Sequence, residues 1–505
     1  MVALVKTLAF KGLEAIGVDV QVHLAPGQHA FSVVGLADKA IAESRDRVRA
    51  ALNVAGLSLP YDRITISLSP ADLPKEGSHY DLAIALGLLV AMGVVNQDTV
   101  DGLYVMGELG LDGSCRPVSG ALPAAMAALA NGFGLVCPAE NGPEAALSGL
   151  ARHDAAGIIA TPHLLALLAH LNGSQLLPSP EPAAPLPFHD LPDLADVRGQ
   201  HEARLVLEVA AAGGHNVLFI GPPGAGKSML ASRLPSILPP LTLEEALDVN
   251  MISSLAAPTG LVGLTTRPPY RAPHHSASMA AMVGGGRLAR PGDISLAHGG
   301  VLFLDELPEF PRQVLDALRQ PIETGEVHIA RAAAHVTYPA RFQLIAAMNP
   351  CRCGYADDPV RACSRLPKCM QDYAGRLSGP MIDRFDIILH VPAVSLGDMV
   401  SRNKSGTSAE VLVRVTQARQ KQIKRQKKLN RELSGEAFST GVEMRPEAQK
   451  LLDSIVAKND LSGRGFTRLL RVSRTLADLE CREMISEQNL ATAMNWRYHY
   501  ASLNA

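Results

Sequence analysis

Four apolar runs, Val217–Ile220, Val301–Leu304, Phe342–Met348 and Ile387–Val391, are short and barely alternate with polar residues. Strands buried on both faces read this way, so a parallel sheet covered by helices is expected. Upstream, strand-like segments at Arg63–Leu68 and Gly102–Met106 are interleaved with helical ones at Asp81–Met92 and Pro123–Ala130, a mixed α/β pattern. Beyond Val391 the strand signal stops and helical periodicity takes over, which predicts a helical lid from about residue 400 onward. No short-period repeat is present.

A chain of 505 residues exceeds one ordinary core, so two to four domains are expected. Six prolines between Pro178 and Pro192 have the composition of a semi-rigid linker. The expected organisation is an N-terminal α/β domain over 1–175, a linker over 176–192, a nucleotide-binding core over 193–398 and a basic helix with the lid over 399–505. The net charge is −2, so attraction to a polyanion has to come from local patches. No uncharged apolar stretch reaches spanning length and the first ten residues lack the features of a secretory leader, so no membrane partner and a cytoplasmic location are expected.

The chemistry concentrates at Gly221, Pro222, Pro223, Gly224, Ala225, Gly226, Lys227 and Ser228, a GxxxxGKS run between an apolar strand and a helical stretch. In that context backbone N–H groups and a helix start converge on phosphate, Lys227 reaches the β/γ-phosphates and Ser228 holds Mg²⁺, so ATP with Mg²⁺ is expected. The run Val301–Leu304 ends in Asp305 and Glu306. Asp305 suits the Mg²⁺ shell, and Glu306 suits orientation or deprotonation of the attacking water. Asn349, ending a third apolar run, is placed to position the same water; a turn residue before Pro350 is the competing explanation. Arg384 is the candidate arginine finger for a neighbouring subunit, against a structural ion pair with Asp383 or Asp386. In the lid, Phe466, Leu469, Leu470, Leu476 and Leu479 keep helical spacing while Arg464, Arg468 and Arg471 fall on another face. Arg464 is the preferred reader of the γ-phosphate.

These residues resemble the ComM/YifB family within the magnesium-chelatase and MCM branch of AAA+ ATPases, and the resemblance spans nearly the whole chain. Its distinctive pieces are Arg271-Ala272-Pro273-His274-His275-Ser276, Gly284-Gly285-Gly286, Pro291 to His298, Leu307-Pro308-Glu309-Phe310 and Leu377 to Arg384. It implies an AAA+ P-loop core with a helical lid and a hexameric ring motor. It also implies kinship with a helicase that drives branch migration when incoming DNA is integrated by homologous recombination in natural transformation. It assigns Asn349 to sensor 1, Arg384 to the finger and Arg464 to sensor 2. DNA, single-stranded or branched, is the implied partner, together with recombination proteins. The N-terminal region resembles a Lon-protease-like domain through Pro74-Lys75-Glu76-Gly77, Gly107 to Gly113 and Arg116-Pro117-Val118. His79 and Leu122 stand where that fold's nucleophilic serine and catalytic lysine would be, so no peptidase is expected, with Ser78 one position away. The alternative function is a chelatase-type subunit that remodels a protein partner.

Cys351, Cys353, Cys363 and Cys369 offer four soft ligands within nineteen residues, suited to a structural Zn²⁺; reduced loop thiols are the alternative. For DNA, the candidates are a hairpin over Gly325–Tyr338 with His328, Arg331 and His335, and the segment Arg267–Arg290. The eight Lys and Arg between Arg414 and Arg431 are a weaker candidate, because solvated faces more often explain such runs.

Overall fold

The computed structural model describes residues 2–28, 30–35, 38–151, 157–186, 191–257, 263–286, 289–331, 334–356, 363–394, 397, 406–435, 438, 441–457 and 462–501. The apolar runs form a five-stranded parallel sheet in the order Tyr270–Arg271, Val301–Leu304, Gln343–Met348, Val217–Ile220, Ile387–His390. Every residue of Val217–Ile220, Val301–Leu304 and Gln343–Met348 is buried, because helices cover both faces. This is an α/β, P-loop-like core. The strand preceding Gly221 therefore sits between the strand ending before Asn349 and the one following Asp386, which brings three distant segments to one edge.

The N-terminal part holds a seven-stranded mixed sheet, ordered Ala30–Val34, Arg63–Ser69, Glu14–Ala25, Val2–Lys11, Leu103–Val105, Gly134–Pro138, Ile158–Thr161. Its centre is a long antiparallel hairpin, Val2–Lys11 with Glu14–Ala25, which is not among the elements expected above although Val18, Val20 and Val22 alternate with Asp19, Gln21 and His23. The helix Asp81–Ala91 lies across this hairpin and is apolar nearly all round, as a helix buried on every side should be. At the hairpin tip Gly12 adopts φ +67, and a Cβ there would come 2.8 Å from the Thr337 carbonyl. The tip thus rests on a second hairpin, Glu326–Arg331 with Ala334–Pro339, where the sequence placed one. A cavity of about 720 Å³, lined by Ser78, His79, Glu108, Arg290, His335 and Tyr338 among others, lies between the two parts.

The proline-rich stretch differs from a spacer. Ala183 is buried and its N–H donates to the Pro143 carbonyl at 2.9 Å, while Leu186 and Ala184 exchange hydrogen bonds with Leu264 at 2.9 and 3.0 Å. It is a strap tied to both parts. Proline withholds its own N–H but fixes φ, so the residues between prolines are presented extended and free to pair.

After the sheet the chain is helical in its described residues, with helices at Ser408–Gln426, Pro446–Ala457, Gly463–Leu479 and Glu487–Ala501. The first begins at a capping box of Thr407 and Glu410, and the third at Ser462, whose hydroxyl accepts the Gly465 N–H at 3.1 Å. The four arginines of the basic stretch are spent on docking, while its four lysines are exposed. Arg414 forks onto Glu208 at 2.6 and 2.8 Å, Arg419 donates to the Ala211 carbonyl, Arg425 pairs with Asp478 and Arg431 donates to the Phe342 carbonyl. Asp386 is the hub beneath these helices: buried, it accepts the Asn216 N–H at 2.9 Å and faces Arg468 Nε at 3.4 Å and His215 Nδ1 at 3.8 Å. Burial alone would raise its pKa, but hydrogen bonding and charge from His215, then Arg431 and Arg468, outweigh this and hold the carboxyl well below the usual range. No helix among the described residues is long and apolar enough to cross a membrane.

Candidate functional site

The phosphate loop turns between strand and helix by left-handed backbone at Gly224, φ +79, and Gly226, φ +87, conformations that suit glycine. Gly221 has a different reason: a Cβ would meet the Val391 carbonyl at 2.2 Å. Lys227 opens the helix Lys227–Arg233, and its ammonium donates to the carbonyls of Gly221 and Pro222 at 2.7 and 2.9 Å and to Asn349 Oδ1 at 3.1 Å. Burial lowers its pKa, opposed by Asp305 and Glu306. Ser228 Oγ donates to Asp305 Oδ2 at 2.5 Å. These are two hard oxygen donors of the kind Mg²⁺ takes, so the residues fit that ion.

Glu306 follows in the left-handed region, φ 51, a strained position for a side chain with a Cβ. Its N–H donates to Asp305 Oδ1 at 2.9 Å, and its carboxylate lies 3.4 Å from His275 Nδ1. Asp305 thus addresses Ser228 while Glu306 addresses His275. The structure pairs Lys227 with Asn349 and Ser228 with Asp305 at this loop and leaves Glu306 beside them, half exposed.

Arg384 and Arg464 stand elsewhere. Arg384 is 7% exposed and donates to Glu323 at 2.6 Å and to the Pro380 carbonyl at 2.7 Å. Its partner is therefore Glu323, neither Asp383 nor Asp386. Burial lowers its pKa, Glu323 opposes this, and Arg319, Arg464 and Arg468 lower it further, which places Arg464 in the field of Arg384. Arg464 is exposed on the first turn of its helix. Arg468 goes to Asp386, and Arg471 donates to the Leu433 carbonyl at 3.0 Å, so these two are structural.

Two contributors carried no sequence signal. Gln200 Nε2 donates to the Ala225 carbonyl at 3.3 Å and the Pro392 carbonyl at 2.6 Å, pinning the phosphate loop to the end of the neighbouring strand. Asn216 is the second: its amide donates to the Arg384 carbonyl and accepts from Leu344 N–H, both at 2.9 Å. His275 was visible as part of a motif, but its approach to Glu306 was not.

The four cysteines converge. All four Sγ atoms lie within 4.8 Å of one another, and the Cys353 thiol is pulled down to about 7, first by the Tyr355 N–H and then by Cys351. In the N-terminal part, His79 is buried, hydrogen-bonds the Leu8 carbonyl at 2.9 Å, and is pushed down to about 4 by burial. Leu122 is core, and the Ser78 hydroxyl donates to Glu108. The Lys75 ammonium is tied to the Pro70 carbonyl.

Of the DNA candidates, Arg271 pairs with Asp293 at 2.9 Å, and His328 bonds Thr337 across its hairpin at 2.9 Å. His335 faces the cavity toward the N-terminal part. Arg287, within the segment Arg267–Arg290, lies outside the described residues, as do the hairpin tip at 332–333 and the side chain of the candidate Arg331.

Three family models match the chain: magnesium chelatase, subunit ChlI, over residues 193–399; subunit ChlI of Mg-chelatase over 20–141; and the ChlI C-terminal region over 405–497. The YifB protein of Salmonella typhimurium is 44% identical across 98% of this chain and 97% of its own length. Competence protein ComM of Haemophilus influenzae is 42% identical across 98% and 97%. An MCM-type protein of Methanocaldococcus jannaschii is 26% identical over 34% of this chain and 19% of its own. With near full-length identity to YifB and ComM, and with a phosphate loop and acidic pair arranged as above, the chain belongs to the ComM/YifB family of magnesium-chelatase-like ATPases.

Proposed function

We propose that the chain is an ATP-driven motor on DNA, assembled as a ring of six, that promotes branch migration during homologous recombination of incoming DNA. The observation that carries this is the division of the ATPase charges into two sets. Lys227, Ser228, Asp305, Glu306 and Asn349 gather at the phosphate loop, whereas the fields that Arg384 feels are those of Glu323, Arg319, Arg464 and Arg468. A seam between protomers joins the two sets.

There, Lys227 exchanges its carbonyl partners for the β/γ-phosphates, Ser228 and Asp305 would hold Mg²⁺, and Glu306 receives the proton of the attacking water. Mg²⁺, when bound, offsets charge on the phosphate oxygens. Asn349 steadies Lys227 and the water. Arg384 leaves Glu323 to reach the neighbour's γ-phosphate, with Arg464 beside it as the sensor of the same phosphate. DNA contacts fall to the hairpin around His328 and Arg331 and to the segment Arg267–Arg290. The N-terminal part acts as a non-proteolytic adaptor, since Ser78 is paired with Glu108 and has no partner base at the position of Leu122. The competence name of the Haemophilus relative and the MCM-type partial match support DNA as the track, and we place the protein in the cytoplasm.

A second reading, remodelling of a protein partner in the manner of a chelatase subunit, draws on the names of all three family models. Measuring ATP hydrolysis with and without single-stranded, duplex and branched DNA, alongside particle mass with and without ATP, separates them. Stimulation by DNA and a sixfold mass support the motor; hydrolysis indifferent to every DNA, or a persistent monomer, overturns it.

A further inference from the structure

Cys351, Cys353, Cys363 and Cys369 serve none of the steps above, yet their sulfurs crowd into a space 4.8 Å across. Zinc–thiolate bonds of about 2.3 Å set tetrahedral sulfurs about 3.8 Å apart, so this spread is that of one ion's shell. Cys351 and Cys353 stand at 3.1 Å, beyond the roughly 2.05 Å of a disulfide. Backbone amides already point at the sulfurs: Tyr355 N–H at Cys353, Gly354 and Tyr355 N–H at Cys351, Arg365 N–H at Cys363. Such donors orient and stabilise thiolate ligands.

We propose that these four cysteines bind a structural Zn²⁺ that fastens the loop after Asn349 onto the phosphate loop. Zn²⁺ displaces the thiol protons to solvent and changes no oxidation state. With four protein ligands the shell is closed, so the ion has no open position for catalysis. Its leverage is positional. Gly354, between two of the ligands, takes φ +84, and a Cβ there would lie 2.6 Å from Pro223 and 4.0 Å from Asn349 Cγ. Cys351 is completely buried and two residues from Asn349, whose side chain meets Lys227 at 3.1 Å. Zinc, knuckle, Asn349 and Lys227 form one connected path. The site itself is independent of the nucleotide assignment; its coupling to nucleotide rests on it.

The test uses full-length protein purified without chelator. Metal analysis is expected to give one zinc per chain. Cys353→Ser combined with Cys369→Ser should remove it, while Cys481→Ser, in an exposed cysteine outside the cluster, keeps it. Exchange of the wild type with Co²⁺ should give a thiolate charge-transfer band and tetrahedral d–d bands, a readout that needs no variant to fold. Zinc well below one per chain, no cobalt spectrum and four freely reactive thiols overturn the site. Stripping zinc should weaken binding of a fluorescent ATP analogue about tenfold or more, equivalent to about 1.4 kcal/mol; unchanged affinity overturns the coupling. Lys227→Ala should lose nucleotide and keep zinc, so failure of the ATP assignment shows separately.

Discussion

Replacing Asp386 with Asn keeps the size and the acceptor for the Asn216 N–H but removes a negative charge from beneath the C-terminal helices. Asp386 is 4% exposed and answers Arg468, itself only 14% exposed, with Arg431 and Arg497 in its field. Breaking a buried pair by removing one partner typically costs about 3–5 kcal/mol. For a cooperative unit of roughly 150–250 residues, each kcal/mol lowers Tm by about 2–4 °C, so the melting of the ATPase part should fall by about 6–20 °C. The pH dependence is more discriminating. The carboxyl lies below its unfolded value, so its stabilisation is fully present above about pH 4, the ordinary aspartate range, and is lost as pH falls further toward its folded value. Thermal melts of wild type and Asp386→Asn across pH should therefore run parallel from about pH 7 to 4.5 and converge below. A gap that closes already between about pH 7 and 5 would refute the Asp386 carboxyl as the titrating group, and a gap under about 1 kcal/mol would refute the hub.

Other outcomes follow from the two sets of charges. Glu306→Gln should bind ATP normally but hydrolyse it at least about a hundredfold more slowly, checked by single-turnover kinetics; wild-type turnover would leave Glu306 without a role. Lys227→Ala and Arg384→Ala chains, each inactive alone, should recover part of the ATPase rate when mixed, because a mixed ring contains seams with an intact cradle on one side and an intact finger on the other. No recovery at any ratio argues that Arg384 acts within its own chain. Casein should remain intact with or without ATP, and cleavage abolished by Ser78→Ala would restore the proteolytic assignment.

What the sequence disclosed was what lies close along the chain. The strand before Gly221, the acidic pair after Leu304 and the cysteines from 351 to 369 are each written within a few residues, so apolar runs and fixed spacing suffice to find them. What it hid was adjacency across long separations. Arg384 meets Glu323 across sixty-one residues, and neither flank signals the other. The hairpin Val2–Lys11 with Glu14–Ala25 was missed although its second strand alternates buried Val18, Val20 and Val22 with Asp19, Gln21 and His23; only in the first strand does the continuous buried run Thr7–Ala9 blur the period of two. The basic run from Arg414 to Arg431 reads by count as a solvated face, with a polyanion surface as the weaker candidate, whereas its four arginines answer specific carboxylates or carbonyls.

The proline strap bears on how this protein can be taken apart. Its bonds from Ala183 to Pro143 and from Leu186 to Leu264 stitch it to residues on either side, so a cut placed after residue 175 would leave the strap with Leu264 on one fragment and sever its bond to Pro143 on the other. Chimaeras that exchange the N-terminal body with a relative's should carry the segment through Leu186, and transplant the surface around Leu264 with it, if the joined halves are to keep their register.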